Sequence, residues 1–106
     1  MKKIYSTDDL LFDIEVFQDD SGFDLISWSN IRDLTIKIWT TSEDSAKVYT
    51  LDNLISFKLP ITSTDLGTFD EGILKASYSI GVDSSYFPDG VYNRSGIIQT
   101  GLYLVK

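Results

Sequence analysis

The side chains of this sequence that could do chemistry are its carboxylates and its aromatic rings. Sixteen Asp and Glu stand against nine Lys and Arg, with no histidine and no cysteine among 106 residues. That removes the usual general base, the commonest neutral metal ligand, thiolate metal sites and Cys nucleophiles together. Ser-His-Asp and Cys-His catalysis have no residues to run on. Paired carboxylates are what is left, and Asp13 and Glu15 project from one strand face, an arrangement open to glycosidase-type acid and base work. Any exposed strand face carries such charges, and the surface reading is adopted. No catalytic residue is assigned, and the chain is expected not to be an enzyme.

Metal binding by hard oxygen ligands needs several carboxylates at short range. Acid clusters occur at Asp8-Asp9, at Asp19-Asp20 with Asp24, and at Asp70-Glu71, and none has the Asp-x-[Asp/Asn]-x-[Asp/Asn]-Gly spacing of a calcium loop. They read as solvated turn residues, so no metal and no cofactor is expected. The glycines fall singly at turns and form no phosphate-binding loop.

The aromatics point elsewhere. Trp28, Tyr86, Phe87 and Tyr92 fall in or beside expected loops, where large rings serve as interface anchors or ligand platforms, or else cap the ends of a core. With Phe23 and Trp39 they are the interface candidates, and the segments around 23–29 and after 82 the interface loops. Trp39 has the parity opposite to Ile36 and Ile38, so either a bulge intervenes or it lies on the outer face.

Strands must position these rings. Leu10, Phe12, Ile14 and Val16 alternate with Asp13 and Glu15, the period-2 pattern of a half-buried strand over 10–17. Asp19-Asp20-Ser21-Gly22 is turn chemistry, and 23–28 is a short strand or an irregular cover. Leu34, Ile36 and Ile38 mark the next strand, closed by a turn over 41–45. Lys47–Leu51 and Leu54–Ile61 look like a hairpin, with Ile55, Phe57, Leu59 and Ile61 on one parity and Pro60 placing the second strand at an edge. Residues 62–72 form a crossing loop in which Leu66 and Phe69 tuck against the sheet. Leu74, Ala76, Tyr78, Ile80 and Val82 alternate along a long strand, Pro88-Asp89-Gly90 reverses the chain before Val91-Tyr92, and Ile97–Val105 is a last strand. About seven strands without helical periodicity predict an all-β, immunoglobulin-like antiparallel β-sandwich, with a small barrel as the structural alternative, in a single domain over 1–106.

The formal charge of −7 repels phosphate backbones and anionic membrane surfaces, so neither nucleic acid nor membrane is an expected partner. Residues 1–53 hold 11 acids against five bases, which puts an acidic face near that half. Ser6-Thr7-Asp8-Asp9 stands where a signal peptide would need an apolar stretch, and the apolar runs are far shorter than the ~18 residues that span a bilayer. Neither an export signal nor a transmembrane segment is expected.

Two stretches, LFDIEVFQDDSGFDLISWSNIRDLTIKIWTT and LGTFDEGILKASYSIGVDSSYFPDGVYN, resemble small β-sandwich virion proteins of tailed phages of gut bacteria, the crAss-like phages among them, and the N-terminal sandwich of phage baseplate upper proteins. The shared cadence is an opening strand, an acidic Gly turn, a second strand ending in Thr-Thr, and Gly-x-Leu before a long strand. The resemblance implies an accessory virion role, as capsid decoration, head-fibre attachment or adaptor. Its partners would be the major capsid protein or fibre and tail components, and it brings no catalytic residues. The alternative, from the residues themselves, is a carbohydrate- or ligand-binding sandwich with Trp28, Trp39 or Tyr86 as stacking platform, and a carboxylate hydrolase ranks last.

Overall fold

A computed structural model describes residues 1–14 and 28–106. Among these residues nine strands make three sheets. The largest runs β4(Lys47–Thr50)-β3(Ile31–Trp39)-β7(Lys75–Asp83)-β8(Val91–Ile98), antiparallel throughout. A three-stranded sheet runs β1(Lys2–Tyr5)-β9(Leu102–Val105)-β6(Gly72–Ile73), and β2(Leu10–Asp13) pairs with β5(Lys58–Ile61). The architecture is all-β and sandwich-like, as the alternation predicts.

The β-branched run of β3 explains why this strand is central. Leu34, Ile36 and Ile38 pair with Ile80, Tyr78 and Ala76 in register, and of these six only Tyr78 is not buried almost completely. From the other layer Ile4, Phe12, Ile14, Leu59, Ile61 and Leu104 meet them in one connected core. Leu66, at the end of the single helical turn α1(Ser63–Leu66), and Phe69 are buried in it, as expected of the 62–72 crossing. Burying a side chain of this size contributes about 1.5–3 kcal/mol, which is what a chain without disulfides relies on.

Four expectations change. The described residues hold nine strands, and the added β1 lies parallel to β9 with Lys2 opposite Leu102, so the sandwich is not wholly antiparallel. Residues 97–105 belong to two strands, because β8 ends at Ile98 and Gly101 adopts φ 64 before β9 begins in the other sheet.

The 47–61 stretch is not a hairpin, since β4 pairs with β3 whereas β5 pairs with β2. The apparent strand 54–61 also reverses at its middle. Ile55 and Lys58 exchange backbone hydrogen bonds of 2.9 and 3.0 Å around Ser56 and Phe57, both at positive φ. This left-handed pair leaves Ile55 exposed and buries Leu54 instead. A bulky residue rarely adopts such a backbone, and here tertiary contact holds it: the Phe57 carbonyl accepts from the Ile14 amide at 2.8 Å, and its ring meets Trp28 edge-on at 5.0 Å. The strand expected over 10–17 is seen as β2 with buried Ile14, and its remainder lies outside the described residues, as does the 19–22 turn.

Candidate functional site

The long strands β7 and β8 are joined at one end of the four-stranded sheet by residues 84–90, and the candidate aromatics gather there. Asp83 and Val91 close the ladder. Beyond it the Ser84 amide donates to the Gly90 carbonyl at 2.9 Å, the Gly90 amide to the Phe87 carbonyl at 2.9 Å, and the Val91 amide to Asp89 Oδ1 at 3.1 Å. Pro88 supplies a fixed φ, and Gly90 takes φ 76, which a side chain would strain. The backbone of the tip is thus tied at both ends of its turn.

That tied loop holds Tyr86 in water, 94% exposed. Phe87 is 44% exposed, and its ring packs on Tyr92 with centroids 5.4 Å apart and planes 42° off parallel. Val82, Asp83, Tyr86, Phe87 and Tyr92, with Ser84 and Ser85, line a depression of about 400 Å³. The Asp83 carboxylate lies 2.7 Å from the Arg32 guanidinium, and both are about half exposed. Such an exposed pair adds at most about 1 kcal/mol to stability, but it fixes a carboxylate on the rim. The lining offers apolar surface, the hydroxyls of Ser84, Ser85, Tyr86 and Tyr92 and one oriented carboxylate, which is equipment for contact.

No family model, curated protein or solved structure matches the chain.

The geometry therefore carries the functional reading, and it sorts the candidates. Tyr86, Phe87 and Tyr92 are brought together. Trp28, in a 3-10 turn over Trp28–Asn30, packs edge-on against Phe57 and the core. The pairing of β3 with β7 is unbroken from Asp33 to Trp39, so Trp39 belongs to the outer face, yet it is 9% exposed and is not a platform. Phe23 lies outside the described residues, as do Glu15, Asp19, Asp20 and Asp24.

Several of the described carboxylates serve as tethers. Asp9 Oδ1 accepts from the Ser63 amide at 2.7 Å, Asp70 Oδ2 from the Thr41 hydroxyl at 3.2 Å, and Glu71 Oε1 from the Lys106 amide at 3.2 Å. Asp13 sits 3.9 Å from the Lys58 ammonium across the β2–β5 pair. Among the described residues no three such groups gather where a metal ion could be held, and no helix is long and apolar enough to cross a membrane.

Two features of sequence-distant residues went unforeseen. Arg32 reaches Asp83 because Ile31 pairs with Val82, a register that nothing local to either residue reveals. The Tyr49 hydroxyl donates to Asp65 Oδ2 at 3.0 Å, with Lys47 3.6 Å from the other oxygen. Burial first, then the bond to and the charge of Asp65, push the Tyr49 phenol well above its ordinary range.

Proposed function

We propose that this chain is a non-enzymatic accessory virion protein of a tailed phage, a decoration protein or head or tail adaptor. It docks on a repeating phage protein surface through the β7–β8 tip. The observation that carries the reading is Tyr86, 94% exposed on a backbone held by its own hydrogen bonds, beside the Phe87–Tyr92 pair. Large rings presented on a pre-ordered loop lose little conformational freedom on binding and supply most of an interface's affinity. On a particle with many identical sites, weak single contacts add through effective concentration. The cadence of strands and turns shared with phage virion sandwiches supports the virion setting.

The test is mass spectrometry of purified particles. Stoichiometric copies are expected on the capsid or tail, and a Tyr86→Ala/Phe87→Ala double variant should fold with an unchanged melt and be lost from particles. Absence of the native chain from particles overturns the proposal.

A ligand-binding sandwich remains the second reading, favoured by the mixed lining of the tip depression. Its platform now reduces to Tyr86, since Trp28 and Trp39 are packed away. Glycan-array binding abolished by Tyr86→Ala would support it.

A further inference from the structure

The depression at the β7–β8 tip holds a charge as well as rings. Residues 82–92 include Asp83 and Asp89 and no Lys or Arg, in a chain of net charge −7. Among the described residues the lining carries one charged group, the Asp83 carboxylate, beside the rings of Tyr86, Phe87 and Tyr92. Arg32 approaches that carboxylate at 2.7 Å from outside the lining, with both side chains about half exposed. An ionised carboxylate offers about four lone-pair sites, so Asp83 can serve a second cation while it holds Arg32.

A partner that closes the depression takes Asp83 and the rings out of water together. A neutral apolar occupant would suit the rings and strip water from the carboxylate without replacing it, which costs free energy. An acidic occupant would meet a like charge at Asp83 and again in the field of the whole chain. A cationic side chain suits both halves of the lining, because the electron-rich faces of aromatic rings attract a cation and the carboxylate pairs with it.

We infer that the tip depression is a receptor for a basic side chain of the partner protein, arginine before lysine. The inference rests on the docking reading above and names the chemistry of the partner at that same site. Arginine is preferred because its planar guanidinium lies flat on an aromatic ring while its fork of donors meets a carboxylate, and its methylene stem covers apolar wall such as Val82. The partner surface around that residue is basic, so that the negative field of the chain steers the encounter. A second copy, itself at −7, is the wrong source of the side chain.

The test is selection of random displayed peptides on the full chain. Enriched peptides are expected to carry arginine and to perturb the amide resonances of residues 82–92. Replacing that arginine with citrulline, which keeps its shape and removes its charge, should weaken binding about tenfold or more. Tyr86→Leu keeps apolar bulk without a ring face at a fully solvated position, and should weaken the arginine peptide about tenfold with less effect on the citrulline one. Exchanging the rim pair in Arg32→Asp/Asp83→Arg retains an ion pair, and the folded variant should prefer acidic peptides to basic ones. Failure to enrich any peptide, enrichment of acidic or uncharged ones by the native chain, indifference to citrulline, or sedimentation of the chain alone as a dimer protected over 82–92 each overturns the inference. Particles that incorporate the exchanged variant at native copy number overturn it while leaving the virion reading standing. Absence of the native chain from particles removes that reading while arginine-peptide binding at the tip stands.

Discussion

Tyr49 shows how a polar group is made safe inside a core that has no disulfide to spare. Its ring is buried against Ile36, its cross-strand partner, and its hydroxyl finds Asp65 on the α1 turn, so the crossing segment is pinned to β4. Tyr49→Phe is expected to cost about 1 kcal/mol, the usual net value of one hydrogen bond, read as a lowered chemical-denaturation midpoint. The pH dependence follows from the raised phenol pKa. The unfolded chain loses this proton first, so the contribution is full below the ordinary value of 10.0 and is lost as pH climbs toward the folded value. Between about pH 9 and about pH 11 the native protein should therefore lose more stability than Tyr49→Phe, whose other tyrosines are the same. Equal losses would remove Asp65 and burial as the cause.

At the scale of elements, β7 was the most legible and the 47–61 region the least. Period-2 alternation in Leu74–Val82 reports burial on one face, and β7 obeys it because Ala76 and Ile80 face the core with polar Ser77 and Ser79 between them. The same alternation in Leu54–Ile61 misleads, since Ser56 and Phe57 turn back through positive φ for contacts with Ile14 and Trp28, residues far away in sequence. Glycines show a similar split. Gly90 could be foreseen from Pro88-Asp89-Gly90, but Gly96 is required by Tyr78, whose ring atoms lie 3.0 Å from where a Cβ would stand. Gly96→Ala is expected to cost about 1–3 kcal/mol by overpacking, seen in thermal melts, with a smaller loss when combined with Tyr78→Phe. Leu74 sits where the chain leaves the three-stranded sheet for the four-stranded one, its amide donating to the Leu102 carbonyl at 2.9 Å and its side chain 1% exposed. Leu74→Ala should destabilise by about 2–5 kcal/mol, against no more than about 0.5 for the exposed Leu11→Ala in the same denaturation assay.

For the whole molecule, charge is the property that pattern and composition settle without a fold. At −7 the compact state repels itself, so added sodium chloride should raise the melting midpoint through screening. Calcium at matched ionic strength should raise it no further, and a chelator-reversible gain would point to a carboxylate site. Composition alone also removed histidine and cysteine mechanisms, because a residue absent from the chain is absent from every fold of it. Alternation alone established an all-β chain, since burial on one face writes itself into neighbouring residues. Which strands pair did not follow from either. The parallel partnership of β1 with β9, the separation of β4 from β5, and the meeting of Arg32 with Asp83 depend on contacts between residues far apart in sequence. The candidate site divides along the same line. Tyr86, Phe87 and Tyr92 were visible as rings near a turn, whereas the burial of Trp39 and the packing of Trp28 on Phe57 came from how the sheets are ordered. Exposure belongs to the folded surface, and only the tertiary structure decides which side chains it leaves outside.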